Sequence, residues 1–203
     1  HNLCSIINTL AVKDEDAGNL TSGRFVMIRR SNDVSQASSF VPSPQVGKHS
    51  DSIYGTHHAR DAALLFKTID EDLNLFSSAM KVNSQYMHTI QFHLQVRNKM
   101  SLQKVIAKLE SNKKIATTDK VDACKVFSFG RDQGHFGRIL NHTVVSIPSL
   151  HVSEDGKEIT GFCFTPQDGN SLMSSIAASI WYMYPHSYES KIQCLSHLFF
   201  NEV

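Results

Sequence analysis

Hydrophobic and polar positions divide this chain into segments of two different periods. Residues 4–12, CSIINTLAV, read as a helix closed by the polar stretch 13–23. Phe25, Val26, Met27 and Ile28 form a short unbroken apolar run, which predicts a strand over 24–30 covered on both faces. Residues 31–56 are rich in Ser, Pro, Gly and Asn and carry almost no apolar periodicity. Such a long loop inside a compact domain is usually functional or disordered. The segment 57–69, HHARDAALLFKTI, predicts a short helix. Residues 73–82 and 84–97 predict strands. In the second, Tyr86, His88, Ile90, Phe92, Leu94 and Val96 share one face by the period of two. An amphipathic helix is predicted over 101–112, capped by Ser101, with Leu102, Val105, Ile106 and Leu109 as its stripe. Further strands are predicted at 123–129, 139–150 and 158–165, with the glycine-containing 130–138 as a loop between two of them. A long helix follows from residue 167, and a last one over 187–200. No repeat and no domain boundary interrupts this order. It predicts a single α+β domain over 1–203, with a largely antiparallel mixed sheet and helices on one face.

Composition narrows the classes of function. The chain has 203 residues, 41% hydrophobic and 19% charged, in the range of soluble globular domains. Its net charge of +1 gives no general field for nucleic acid or for a membrane surface. No apolar run approaches the roughly 20 residues needed to span a bilayer. The N-terminal HNLCSIINTL has neither an initiator Met nor a basic-then-apolar signal pattern, so the chain reads as starting inside a longer one. Cys4, Cys124, Cys163 and Cys194 are scattered, which disfavours a CxxC zinc site and fits an intracellular, reducing compartment. Without a secretion signal, the sequons at Asn19 and Asn141 read as chance.

The chemistry concentrates where predicted elements end. Arg29 and Arg30 stand where strand becomes loop, and that loop delivers Thr56, His57 and His58 to the start of a helix. A helix N-terminus has unpaired N–H groups and partial positive charge. Two guanidinium forks and two imidazoles beside it make an anion site suited to phosphate. The plainer alternative is that each Arg closes the strand end by pairing with a carboxylate such as Asp33 or Asp61. His88 lies on an apolar strand face, where it is either a satisfied core imidazole or a general base beside a cleft.

The series RFVMIRRSND, then THHARD, then SSAMKVNSQYMHTIQFHLQV resembles the catalytic domain of the archaeal-type (type II) glyceraldehyde-3-phosphate dehydrogenases. The order and spacing hold from about residue 24 to 97; the later part, with its TPQDGN turn into a helix, is compatible but less specific. The resemblance implies that Arg29 and Arg30 bind phosphate, that His57 and His58 lie beside them, and that His88 assists a catalytic thiol. It implies that Gln167 lies near a nicotinamide, with NAD or NADP as cofactor. Two departures accompany it. His1 stands where the family has its nucleophilic Cys, before a matching Asn2, and Cys4 is the nearest thiol. As a nucleophile, Cys4 would need a lowered pKa from the helix N-terminus and His88; the alternative is an inert helix cysteine. The second departure is that no GxGxxG follows a strand, so the dinucleotide-binding half is not in this chain.

Three functions are therefore in play. One is phosphorylating oxidation of a phosphorylated aldehyde, given an upstream nicotinamide domain. Another is a catalytically silent subunit of a larger assembly. The third is a module that binds a phosphorylated small molecule without chemistry. The resemblance also implies a homo-oligomer.

Overall fold

The structure is a computed structural model and describes residues 1–13, 17–31, 41–84 and 86–203. The chain opens with helix α1 (Asn2–Ile7), which widens into one π-helical turn (Asn8–Val12). Strand β1 (Leu20–Arg29) follows, then the two-residue β2 (Gln45–Val46), helix α2 (His57–Lys67), β3 (Leu75–Lys81) and β4 (His88–Val96). Helix α3 (Leu102–Ser111), β5 (Ile115–Thr118), α4 (Ala123–Gln133) and β6 (Thr143–Ser146) come next. The chain ends with β7 (His151–Val152), β8 (Glu158–Thr165), α5 (Gln167–Met183), α6 (Tyr188–Lys191) and a 3-10 segment (Ile192–Leu198). The strands form one mixed, mostly antiparallel sheet in the order β2-β3-β1-β4-β8-β6-β5, with β7 pairing β8. The class is α+β, as the alternation of elements predicts.

Strand direction explains where the helices go. β1, β3 and β8 run one way, and β4, β6 and β5 the other. The connections β1–α2–β3, β4–α3–β5 and β5–α4–β6 each cross over between strands of the same direction. A single crossover hand then places α2 and α3 on one face. The same hand places α4 on the opposite face, because β5 and β6 are reversed relative to β1 and β3 while the step along the sheet is the same. The packing agrees. Phe25, Met27, Ile90, Phe92, Leu94 and Cys163 join Ile6, Ala63, Val105 and Leu109 in the main core. Their strand neighbours Val144 and Phe164 point the other way and meet Val126 of α4.

Several predicted elements change. Residues 123–129 are helical, not a strand, and the helix runs on into the predicted loop at 130–133. Asp122 accepts a hydrogen bond from the Cys124 N–H and starts that helix, which buries Val126 and Gly130, four apart, on one stripe. The strand predicted over 139–150 is confined to 143–146, and β5, not predicted, pairs with it in parallel. The helix predicted over 187–200 divides into α6 and the 3-10 segment. Tyr86 lies outside β4 and is 44% exposed, so it does not share that strand's buried face. Ser101 caps α3 as predicted, accepting from the Lys104 N–H. Asn19 and Asn141 of the two sequons are buried, with side chains bonded to backbone. No helix among the described residues is long and apolar enough to cross a membrane.

Candidate functional site

Phe25 and Met27 face the helical layer, so alternation sends Arg29 to the rim of that layer and Arg30, just past the strand, to the other side. This is the carboxyl end of β1, and the residues named from the sequence converge on it. β4 runs antiparallel to β1 and begins there with His88. The Arg30 backbone N–H donates to His88 Nδ1 at 3.1 Å, so a neutral ring carries its proton on Nε2. β8 is antiparallel to β4 and ends there, and α5 starts with Gln167. The Arg30 guanidinium donates to Gln167 Oε1 at 3.1 Å. Crevices outside the carboxyl ends of strands are where open α/β sheets commonly bind ligands.

α2 crosses back from β1 to β3, so its N-terminus opens at the same end. A buried hydroxyl fixes it. Thr56, the residue before α2, makes no side-chain cap bond to that helix. Instead the Ala59 N–H donates to Ser77 Oγ, on the neighbouring β3, at 3.1 Å. Ser77 is fully buried and lies 2.7 Å from Thr56 Oγ1, which lies 3.0 Å from His58 Nδ1. The strand thus caps the helix and orients the imidazole through one hydroxyl chain. Gly55 makes the approach possible: its φ is +74°, and a Cβ there would overlap the Ser77 carbonyl oxygen.

The rings of His57 and His58 are in contact, tilted by 31° with centroids 3.9 Å apart. Burial first, then the electrostatic influence of His57, Arg29 and His88, pushes the His58 pKa down to about 4, against the pull of Asp61. His58 is therefore neutral at pH 7. Asp61 itself is held by Arg60, at 3.2 Å, and does not close the Arg29–Arg30 strand end. Asp33, the other carboxylate considered for that role, lies outside the described residues.

The thiol stands apart in character. Cys4 sits within α1, half-buried against the main core. Burial pushes its pKa up, opposite to the shift that a nucleophile at neutral pH requires. Asn2 is buried and donates to Thr143 Oγ1 and to the Phe164 carbonyl, tying α1 to β6 and β8. His1 stacks on His142 with centroids 5.6 Å apart. Ser77 and Gly55 went unread because a lone Ser in a strand and a lone Gly in a loop carry no pattern. Among the described residues no group of three or more His, Cys, Asp or Glu could hold a metal ion. The chain matches no protein-family model and no curated protein.

Proposed function

We propose that the chain is a glyceraldehyde-3-phosphate-dehydrogenase-like domain whose present work is to bind a phosphorylated small molecule through Arg29, His57, His58 and His88, with Arg30 reaching the same sheet end from the other face. The convergence of these five residues at one sheet end carries the reading. Arg29 is exposed and lies within electrostatic reach of His58, which also feels His57 and His88. A bound dianion would favour protonation of the His58 ring, and the guanidinium fork suits its oxygens. If Ser77 donates to Thr56 and Thr56 to His58 Nδ1, the ring keeps its proton on Nε2, ready to donate to the anion. The raised pKa of Cys4 supports a catalytically silent domain, held in a homo-oligomer or as a subunit of a larger assembly. The exposed Trp181, Tyr182 and Met183 at the end of α5 suit such contacts.

A second reading keeps the chemistry: oxidation of a phosphorylated aldehyde, with NAD or NADP on an upstream half, Cys4 as the thiol and His88 as its base. The Arg30 contacts with His88 and Gln167 favour it, because they join the proposed base and the proposed nicotinamide neighbour to the phosphate groups.

Calorimetric titration with inorganic phosphate and with glyceraldehyde 3-phosphate separates these cases. Saturable binding is expected, weakened at least tenfold by the double substitution Arg29→Ala, Arg30→Ala. Undiminished binding in that variant overturns the site. Reduction of NAD or NADP on addition of the aldehyde would favour the second reading; none is expected.

A further inference from the structure

Arg30 belongs to two neighbourhoods. Its backbone serves His88, while its side chain lines a separate surface cavity of about 500 Å³, counted out to the open mouth. His88, His57 and His58 are not in its lining, which includes Tyr86, Phe127, Arg138, Gln167 and Asp168.

Three features of this lining call for three parts of one ligand. The first is aromatic. Tyr86, just ahead of β4, and Phe127, on α4, meet with ring centroids 5.6 Å apart at 54°, and each is 44% exposed. Two touching rings left that open offer a stacking face to a planar group. The second is cationic. Arg138 is exposed and uses one N–H on the Phe136 carbonyl, and a guanidinium has five donors. Arg30 and Arg138 therefore line the same cavity as the rings, which is how an anion attached to a flat group would be held. The third is the Asp168 carboxylate, an acceptor suited to hydroxyl donors. A free phosphate would not use the rings, and an apolar ligand would not use the guanidinium groups.

We propose that this cavity binds a nucleoside monophosphate, with the base on Tyr86 and Phe127, the phosphate toward Arg30 and Arg138, and a sugar hydroxyl on Asp168. The proposal goes beyond the phosphate reading, with which it shares Arg30 alone. Calorimetry with AMP, ribose 5-phosphate, adenosine and inorganic phosphate tests it. AMP is expected to bind at least tenfold tighter than ribose 5-phosphate or adenosine, because only AMP carries all three parts. Phe127→Ala and Arg138→Ala are each expected to weaken AMP at least fivefold, and Phe127→Ala to leave inorganic phosphate binding unchanged. Equal affinity for AMP and ribose 5-phosphate, or AMP affinity unmoved by both substitutions, overturns the cavity. If inorganic phosphate fails to bind while AMP binding depends on Phe127 and Arg138, the phosphate reading falls and the cavity stands.

Discussion

Ser77 shows how one hydroxyl on a strand organises a helix start. Ser77→Ala would leave the Ala59 N–H and the Thr56 hydroxyl without their buried partner. A loss of about 1–2 kcal/mol is expected in denaturant unfolding, the cost of removing a cap and leaving a buried group unsatisfied. His58 and His142 make the fold acid-sensitive. His142 lies between Ser5 Oγ, 3.0 Å from Nδ1, and Ser174 Oγ, 3.2 Å from Nε2, linking α1 to α5. Burial, then Lys114, pushes its pKa down to about 4. Both histidines are neutral in the folded state and take up protons more readily once unfolded, at about pH 6.5. Their contribution to stability is present above pH 6.5 and is lost progressively as pH falls toward 4. The melting temperature is expected to drop across that window, and His142→Gln, which cannot charge, is expected to flatten the drop. Anion binding runs the other way. Sulfate, which does not titrate in this range, is expected to bind several-fold more tightly at pH 5 than at pH 7.5, and His58→Asn to reduce that difference. The Arg and His pairs were legible because the charges stood at the ends of apolar runs; Ser77 had no neighbour in sequence to announce its role.

Elements were legible where one period dominated. β4 and α3 have clean stripes, Ile90–Phe92–Leu94–Val96 and Val105–Leu109, and both formed where predicted. α4 misled because Val126, Phe127 and Phe129 crowd into four residues and read as a strand covered on both faces. The cap at Asp122 was the signal that could have decided the case. β5 went unread because Ile-Ala-Thr-Thr offers one large apolar residue, yet all four positions are buried. α5 is located by contact rather than by sequence. A Cβ on Gly169 would overlap the Ile139 carbonyl oxygen, so the first turn of α5 rests directly on that backbone. Gly169→Ala is expected to shift this turn, move Gln167 away from Arg30 and lower stability by about 1–3 kcal/mol, read as a lower melting temperature.

At the scale of the whole molecule, sheet order decides what meets what. The predicted class and its mostly antiparallel sheet hold, because the alternation of elements was visible. The strand order was not visible, since it depends on pairings between segments far apart in sequence. That order places β1 between β3 and β4 and so brings residues from β1, α2, β4 and α5 to one end. The opposite face of β1 carries Val26 and Ile28, half-buried, and Phe162 of β8 on the same side is 39% exposed. α4 covers this face only toward β6 and β5.

The position of β1 also sets the order of events in synthesis. Gly23 first meets Leu75, and Phe25 meets Phe92. Among the described residues no strand closer in sequence than β3 pairs with β1. A nascent chain must therefore extrude both later strands before its most apolar segment has a place to go. Such distant pairing makes for a high contact order and slow folding. Until then, the segment that ends in the two arginines is the one a chaperone would meet.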